Sequence, residues 1–133
     1  AKVSSEEWEL AAGTPDLERG IAFVMNMGVE LLVISRGEHG ALATNGDYRI
    51  ELPGYPVDVV ETTGAGDGFM AAMISKLLPE RERLGSLSKI DQPTLYEALR
   101  FANAVGALTC TRRGAIPALP TRAEVDRFMQ LNK

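Results

Sequence analysis

Residues 60–69 read V-E-T-T-G-A-G-D-G-F, with one carboxylate, Asp67, set among Gly64, Gly66 and Gly68. Clustered glycines let something approach the backbone closely. The first amides of a helix also lack internal partners and lie at the positive end of its macrodipole, so they favour an anion. V-D-V-V (57–60) reads as a short strand feeding this turn, and G-F-M-A-A-M-I-S-K-L-L (68–78) as the helix leaving it. An oxyanion held by the amides of Gly64, Ala65 and Gly66 would lie beside Asp67. That pairing suits phosphoryl transfer, in which amides hold the charge on the moving group while a carboxylate takes a hydroxyl proton. Two other phosphate patterns fail. A Walker A loop needs a lysine after its glycines, and a dinucleotide fingerprint needs a further strand ending in an acid. The same glycines could serve a plain strand-to-helix turn. A pure anion binder, however, gains nothing from Asp67.

Several elements must position this turn. Thr14-Pro15 reads as a helix start, with Leu17, Ile21 and Val24 at helical spacing and Gly28 as the stop. V-E-L-L-V-I-S (29–35) is the apolar run of a strand buried on both faces. Asn45-Gly46 predicts a two-residue hairpin turn, with Tyr48, Ile50 and Leu52 sharing one face of the second strand. The helix over 68–78 is apolar on most sides, which predicts a buried helix. The charged stretch from Pro79 to Pro93 reads as an exposed connection. A long helix follows over 94–111, with Leu95, Leu99, Ala102, Val105 and Gly106 on one stripe. Thr121 with Glu124 three residues on is a capping box opening a last helix.

Composition narrows the function classes. A length of 133 residues fits one domain, and a 45% hydrophobic content suits a globular chain. The net charge of −4 and the lack of a basic run longer than Arg112-Arg113 argue against nucleic-acid binding. No apolar run is long enough for a membrane span, and the opening A-K-V-S-S-E-E-W-E-L is unlike a signal peptide. One cysteine, Cys110, and one histidine, His39, allow neither an internal disulfide nor a histidine metal cluster. The expectation is a cytoplasmic protein. Cys110 reads as a packed helix residue and His39 as a solvent-facing loop residue.

V-V-E-T-T-G-A-G-D-G-F resembles the D-T-x-G-A-G-D motif of the ribokinase-like (PfkB) carbohydrate kinases. V-I-S-R-G-E-H-G-A-L-A resembles the strand and G-x-x-G segment upstream of it. A-L-R-F-A-N-A-V-G-A-L-T-C-T-R-R-G-A-I-P-A-L-P-T-R-A-E-V resembles the C-terminal helix, T-R-x-G-A loop and closing helix, and A-K-V-S-S-E-E-W-E-L a segment of the fructokinase-like branch. The stretches cover nearly the whole chain in family order. The resemblance implies an α/β fold, a three-layer α/β/α sandwich around a mostly parallel sheet. Residues 1–133 would be the C-terminal part of a single kinase domain about twice as long.

The same resemblance implies ATP-dependent phosphorylation of a sugar hydroxyl, most simply that of fructose, with another sugar, sugar acid or nucleoside as alternative substrates. Asp67 would be the general base, and Gly64, Ala65 and Gly66 the anion hole. Ser35, Gly37, Gly40, Asn103, Gly106 and Gly114 would line the nucleotide site. Ser4 and Glu7 fall on an N-x-x-E segment, which gives Glu7 a role toward Mg2+ through water; an ordinary capping box explains the pair equally well. Asn103 could equally cap a neighbouring loop. Glu61 stands where the motif has aspartate, whose family role is to hold a monovalent cation, K+, and its extra methylene works against that. The implied partners are ATP with Mg2+, a sugar, the N-terminal half of the kinase and a second copy of the parent enzyme. Without that half the chain is expected not to phosphorylate a sugar. The competing reading is a non-catalytic nucleotide-binding module.

Overall fold

The computed structural model describes residues 1–114 and 119–132. Four short strands, β1 (Lys2–Ser4), β2 (Leu32–Ser35), β3 (Ala41–Thr44) and β4 (Arg49–Leu52), lie in the order β1-β2-β3-β4. β1 runs parallel to β2, with Lys2 opposite Val33 and Val3 opposite Ile34. The other two pairings are antiparallel, with Ile34 opposite Leu42 and Ala43 opposite Ile50. Because side chains alternate along a strand, Val33, Ala43 and Ile50 share one face and Ile34 and Leu42 the other. Each face is covered. Trp8 and Ala12 of α1 (Trp8–Ala12) and Ile21 and Val24 of α2 (Leu17–Asn26) pack on Leu32, Ile34 and Leu42. The opposite face carries α3 (Ala65–Leu84), α4 (Gln92–Cys110) and α5 (Arg122–Leu131), through Phe69, Met73, Leu95, Leu99, Ala102 and Val125. The result is three layers, α/β/α, and β2 is the doubly buried strand that its apolar run predicts.

Local differences from the sequence reading have physical causes. V-D-V-V forms no strand: the amides of Val60 and Glu61 both donate to the Cys110 carbonyl at the end of α4, and Val59 and Val60 stay more than half exposed. The hairpin connection is four residues rather than two, because Asn45 Oδ1 accepts from the amides of both Asp47 and Tyr48. Tyr48, Ile50 and Leu52 nevertheless share the cluster under α4. The N-cap of α2 is Asp16, whose carboxylate accepts from Arg19 N at 2.8 Å, while Thr14 caps Asp16 itself.

The stretch from Pro79 to Pro93 is largely structured. α3 runs through Pro79 to a left-handed C-cap at Gly85. An interior proline disfavours a helix by about 3 kcal/mol. Here the turn beyond it is held from outside, by the Arg81–Glu30 pair at 3.2 Å and by Leu84 and Leu87 on the core. Ile90 is buried, and Asp91 caps α4 with Pro93 inside its first turn. Nor is α3 buried all round: Phe69, Ala72, Met73 and Leu77 face the core, while Met70, Ile74 and Leu78 are 38%, 50% and 53% exposed.

The capping box of α5 forms as read, and Glu124 does a second task. One carboxylate oxygen accepts from Thr121 N at 2.7 Å, and the other from Arg112 Nη2 at 2.7 Å, joining the end of α4 to the start of α5. The Arg112 guanidinium, with the Thr121 amide, holds the Glu124 carboxyl down at about 2, from an ordinary 4.5. A depressed folded-state pKa contributes stability that is complete above the unfolded value and is lost as pH falls through the folded one. The urea midpoint should therefore fall between pH 4.5 and 2, and Glu124→Gln should flatten that limb relative to the parent chain. An unchanged limb would leave the acid sensitivity to other carboxylates.

Candidate active site

α3 begins at the glycine turn. Gly64, its N-cap, has φ 80°, a left-handed conformation that any side chain would strain, and Gly68 N donates back to the Gly64 carbonyl at 2.9 Å. Ala65 N donates to the Thr62 carbonyl at 3.2 Å. Of the three amides read as an anion hole, that of Ala65 is thus already engaged inside the turn. Gly66 and Asp67 stand at the second and third helical positions, where N–H groups have no intrahelical acceptor. The Asp67 side chain is exposed in that first turn.

Next to the turn lies a cavity of about 750 Å³. One wall is the loop after β2, where Ser35, Gly37 and Gly40 line the space and Arg36 N closes the loop on the Gly40 carbonyl at 2.8 Å. The facing wall is α4, with Asn103, Gly106 and Cys110; Ala65, Gly66 and Phe69 form the end nearest the glycine turn. The structure therefore brings Ser35, Gly37, Gly40, Ala65, Gly66, Asn103 and Gly106 to one space, although up to 71 positions separate them in the chain. Asn103 is buried, and its Nδ2 donates to the Pro53 carbonyl at 3.4 Å, so it caps a neighbouring loop and lines the cavity at once. Cys110 is half-buried and also lines the cavity, and burial pushes its thiol up. His39 is exposed at the rim, beside Glu38.

The remaining candidates stand apart from the cavity. Ser4 N donates to Glu7 Oε2 at 3.0 Å and Glu7 N to Ser4 Oγ at 3.3 Å, a reciprocal pair that holds the Glu7 carboxyl below its usual range. Gly114 N donates to Glu61 Oε2 at 3.0 Å. That amide first, and the Thr63 hydroxyl second, lower the Glu61 carboxyl. Glu61 thus latches the glycine turn to the loop after α4. Residues 115–118 of the T-R-x-G-A region lie outside the described residues. Among the described residues no group of three or more His, Cys, Asp or Glu side chains converges as a metal site. This donor set does not fit a dedicated magnesium cage.

Sequence reasoning passed over Lys2. Its Nζ lies 3.9 Å from the point where a Cβ on Gly66 would stand, so β1 delivers an ammonium to the glycine turn. Its neighbour Val3 packs on the opposite face, and that alternation was the available signal.

The family model of the pfkB family carbohydrate kinases matches residues 1–122. The chain belongs to that family. Its similarity to pfkB relatives runs along almost its whole length: fructokinase-1 of Oryza sativa subsp. japonica is 38% identical over 130 residues, 97% of this chain and 39% of the rice protein. Among solved structures, a fructokinase double mutant from Vibrio cholerae O395 with fructose, ADP and a potassium ion bound superposes with a TM-score of 0.81 at 31% identity, over 96% of this chain and 39% of that one. A putative ribokinase II from E. coli in complex with ATP and Mg2+ gives 0.81 at 32% identity, over 98% and 38%. The fold is the ribokinase-like α/β fold of these kinases. This pfkB chain spans about two-fifths of the length of the relatives it matches.

Proposed function

We propose that this chain supplies the nucleotide site and the catalytic turn of an ATP-dependent sugar kinase of the fructokinase type. The observation that carries the reading is the cavity itself. Its volume suits a nucleotide, and one end of it reaches Gly66, one residue before Asp67. Fructose is the favoured acceptor because fructokinases recur among the relatives, and a solved neighbour holds fructose with ADP.

In this reading the adenosine part lies between the Ser35–Gly40 loop and α4, with the phosphates toward α3. The amides of Gly64 and Gly66 and the Lys2 ammonium hold the anionic oxygens. Asp67 accepts the proton of the sugar hydroxyl as its oxygen bonds to the γ-phosphorus and the bond to the bridging oxygen breaks, releasing ADP. Glu7 would be the carboxylate that reaches, through water, a magnesium ion carried on ATP, and such an ion would neutralise phosphate charge. Glu61, held by Gly114, shapes the turn, and any monovalent cation there must share its carboxylate with that amide. Sugar-binding residues come from the part of the kinase that this chain does not span. The isolated chain therefore binds nucleotide without phosphorylating sugar, in the cytoplasm, and the assembled kinase can pair with a second copy.

The test is calorimetric titration of MgADP into the chain, after far-UV circular dichroism shows it to be folded. Saturable binding below millimolar concentration is expected. A folded chain that gives no binding up to millimolar MgADP would overturn the reading.

A further inference from the structure

We infer that Glu61 is a positioning residue that ties the phosphate-holding turn to the nucleotide wall through protein atoms alone, so that the site takes no monovalent cation at this carboxylate and binds nucleotide equally well without potassium. The inference rests on the kinase reading for what the turn holds and on geometry for the tie.

The tie grips the foot of the turn from two points. Gly114 N donates to Glu61 Oε2 at 3.0 Å, across 53 positions of chain. The Thr63 hydroxyl hydrogen-bonds the same carboxylate. The amides of Val60 and Glu61 donate to the Cys110 carbonyl at 2.8 and 3.2 Å. Residues 60 and 61 are thus fastened to the last residue of α4 and to the loop that follows it. α4 itself carries Asn103, Gly106 and Cys110 on the cavity wall. What holds Glu61 therefore holds the amides of the glycine turn at a fixed distance from that wall.

The side chain has the length for this task. Aspartate, the residue that the motif has here, would fall short by one carbon–carbon bond, about 1.5 Å, which takes the Gly114 amide out of hydrogen-bond range. Glutamate closes the gap, and a hydrogen bond to a charged acceptor is stronger than one between neutral groups.

A potassium ion accompanies fructose and ADP in the Vibrio cholerae fructokinase, and the family resemblance implies such an ion at Glu61. An alkali cation is held by oxygens whose lone pairs turn toward it. Here the described oxygens at the foot of the turn are spent on hydrogens. The carboxylate accepts from Gly114 and Thr63, the Cys110 carbonyl from two amides, and the Thr62 carbonyl from Ala65 N at 3.2 Å. An N–H aimed at the carboxylate also puts partial positive charge where a cation would stand. The described residues do not fit a monovalent cation, and the hydrogen bond supplies the fixing that an ion would give.

The folded chain is titrated with MgADP in potassium chloride and in tetramethylammonium chloride of equal ionic strength, and Gly114 amide exchange is followed by nuclear magnetic resonance in both. The dissociation constant and the exchange rate are expected to be the same in the two salts. Glu61→Ala, checked for fold by circular dichroism, should speed Gly114 exchange on the order of tenfold or more and weaken MgADP roughly tenfold, because the turn is no longer held ready. Glu61→Gln keeps the reach and an acceptor oxygen but loses the charge that a cation needs, so it should behave as the parent does. Tighter MgADP binding in potassium, Glu61→Gln behaving like Glu61→Ala, or a Gly114 amide indifferent to Glu61→Ala would each overturn the inference. If the folded parent binds no MgADP in either salt, the kinase reading falls, and Gly114 exchange in the two variants and two salts still decides the tie.

Discussion

Asp67→Asn should abolish most turnover in a kinase assembled around this chain while leaving nucleotide binding intact. The expected loss in kcat is ~10²–10⁴-fold, the usual worth of a general base. Asparagine keeps the shape of aspartate and still suits the first turn of a helix, so the loss of charge at the start of α3 should lower stability by only about 0.3–1 kcal/mol. The direction of the affinity change carries the argument. A carboxylate beside bound phosphates repels them, so removing its charge should leave the MgADP dissociation constant unchanged or slightly lower. If Asp67 instead served binding, the same substitution would weaken MgADP and spare kcat. Steady-state kinetics with MgADP calorimetry therefore separates the two roles in one variant. Full turnover in Asp67→Asn would remove the base assignment.

What the sequence made legible was local chemistry; what it hid was long-range pairing. The capping box at Thr121 and Glu124 is written in adjacent residues and forms as read. So does β2, because few patterns other than a doubly covered strand suit an apolar run like 29–35. V-D-V-V misled because β-branched residues show a fit to pleated surface, whereas a strand also needs a partner, and the amides of Val60 and Glu61 found the Cys110 carbonyl instead. Pro79 misled because the turn beyond it is held by long-range contacts, Leu84 and Leu87 on the core and Glu30, 51 residues from Arg81 in the chain. The candidate site divides in the same way. Its glycines and Asp67 were visible as a cluster, but Lys2, 64 positions from Gly66, arrives by strand geometry alone. The engagement of the Ala65 amide by Thr62 depends on the turn's hydrogen bonding, which its residue types leave open.

The cavity wall after β2 depends on one residue more than any other. Gly40 has φ 89° and ψ −138°, a conformation that side chains other than glycine's rarely adopt. A Cβ there would stand 1.9 Å from the Leu52 carbonyl oxygen and 2.7 Å from Gly54 N, both backbone atoms that cannot rotate away. Gly54 answers from the other side, where a Cβ would lie 2.3 Å from the Glu38 carbonyl oxygen. The two loops touch backbone to backbone, and that contact fixes the position of the wall after β2. Gly40→Ala should therefore destabilise the fold by about 3 kcal/mol or more, from conformational strain and collision together. Gly37→Ala is the control, because Gly37 also has positive φ, at 57°, but its Cβ would meet nothing within 4 Å. Strain alone should hold its effect to about 1–2 kcal/mol in urea denaturation. Equal effects at the two positions would mean that the loops do not touch. A large difference, with MgADP binding lost in Gly40→Ala and retained in Asp67→Asn, would separate the residue that shapes the nucleotide wall from the one that moves the proton.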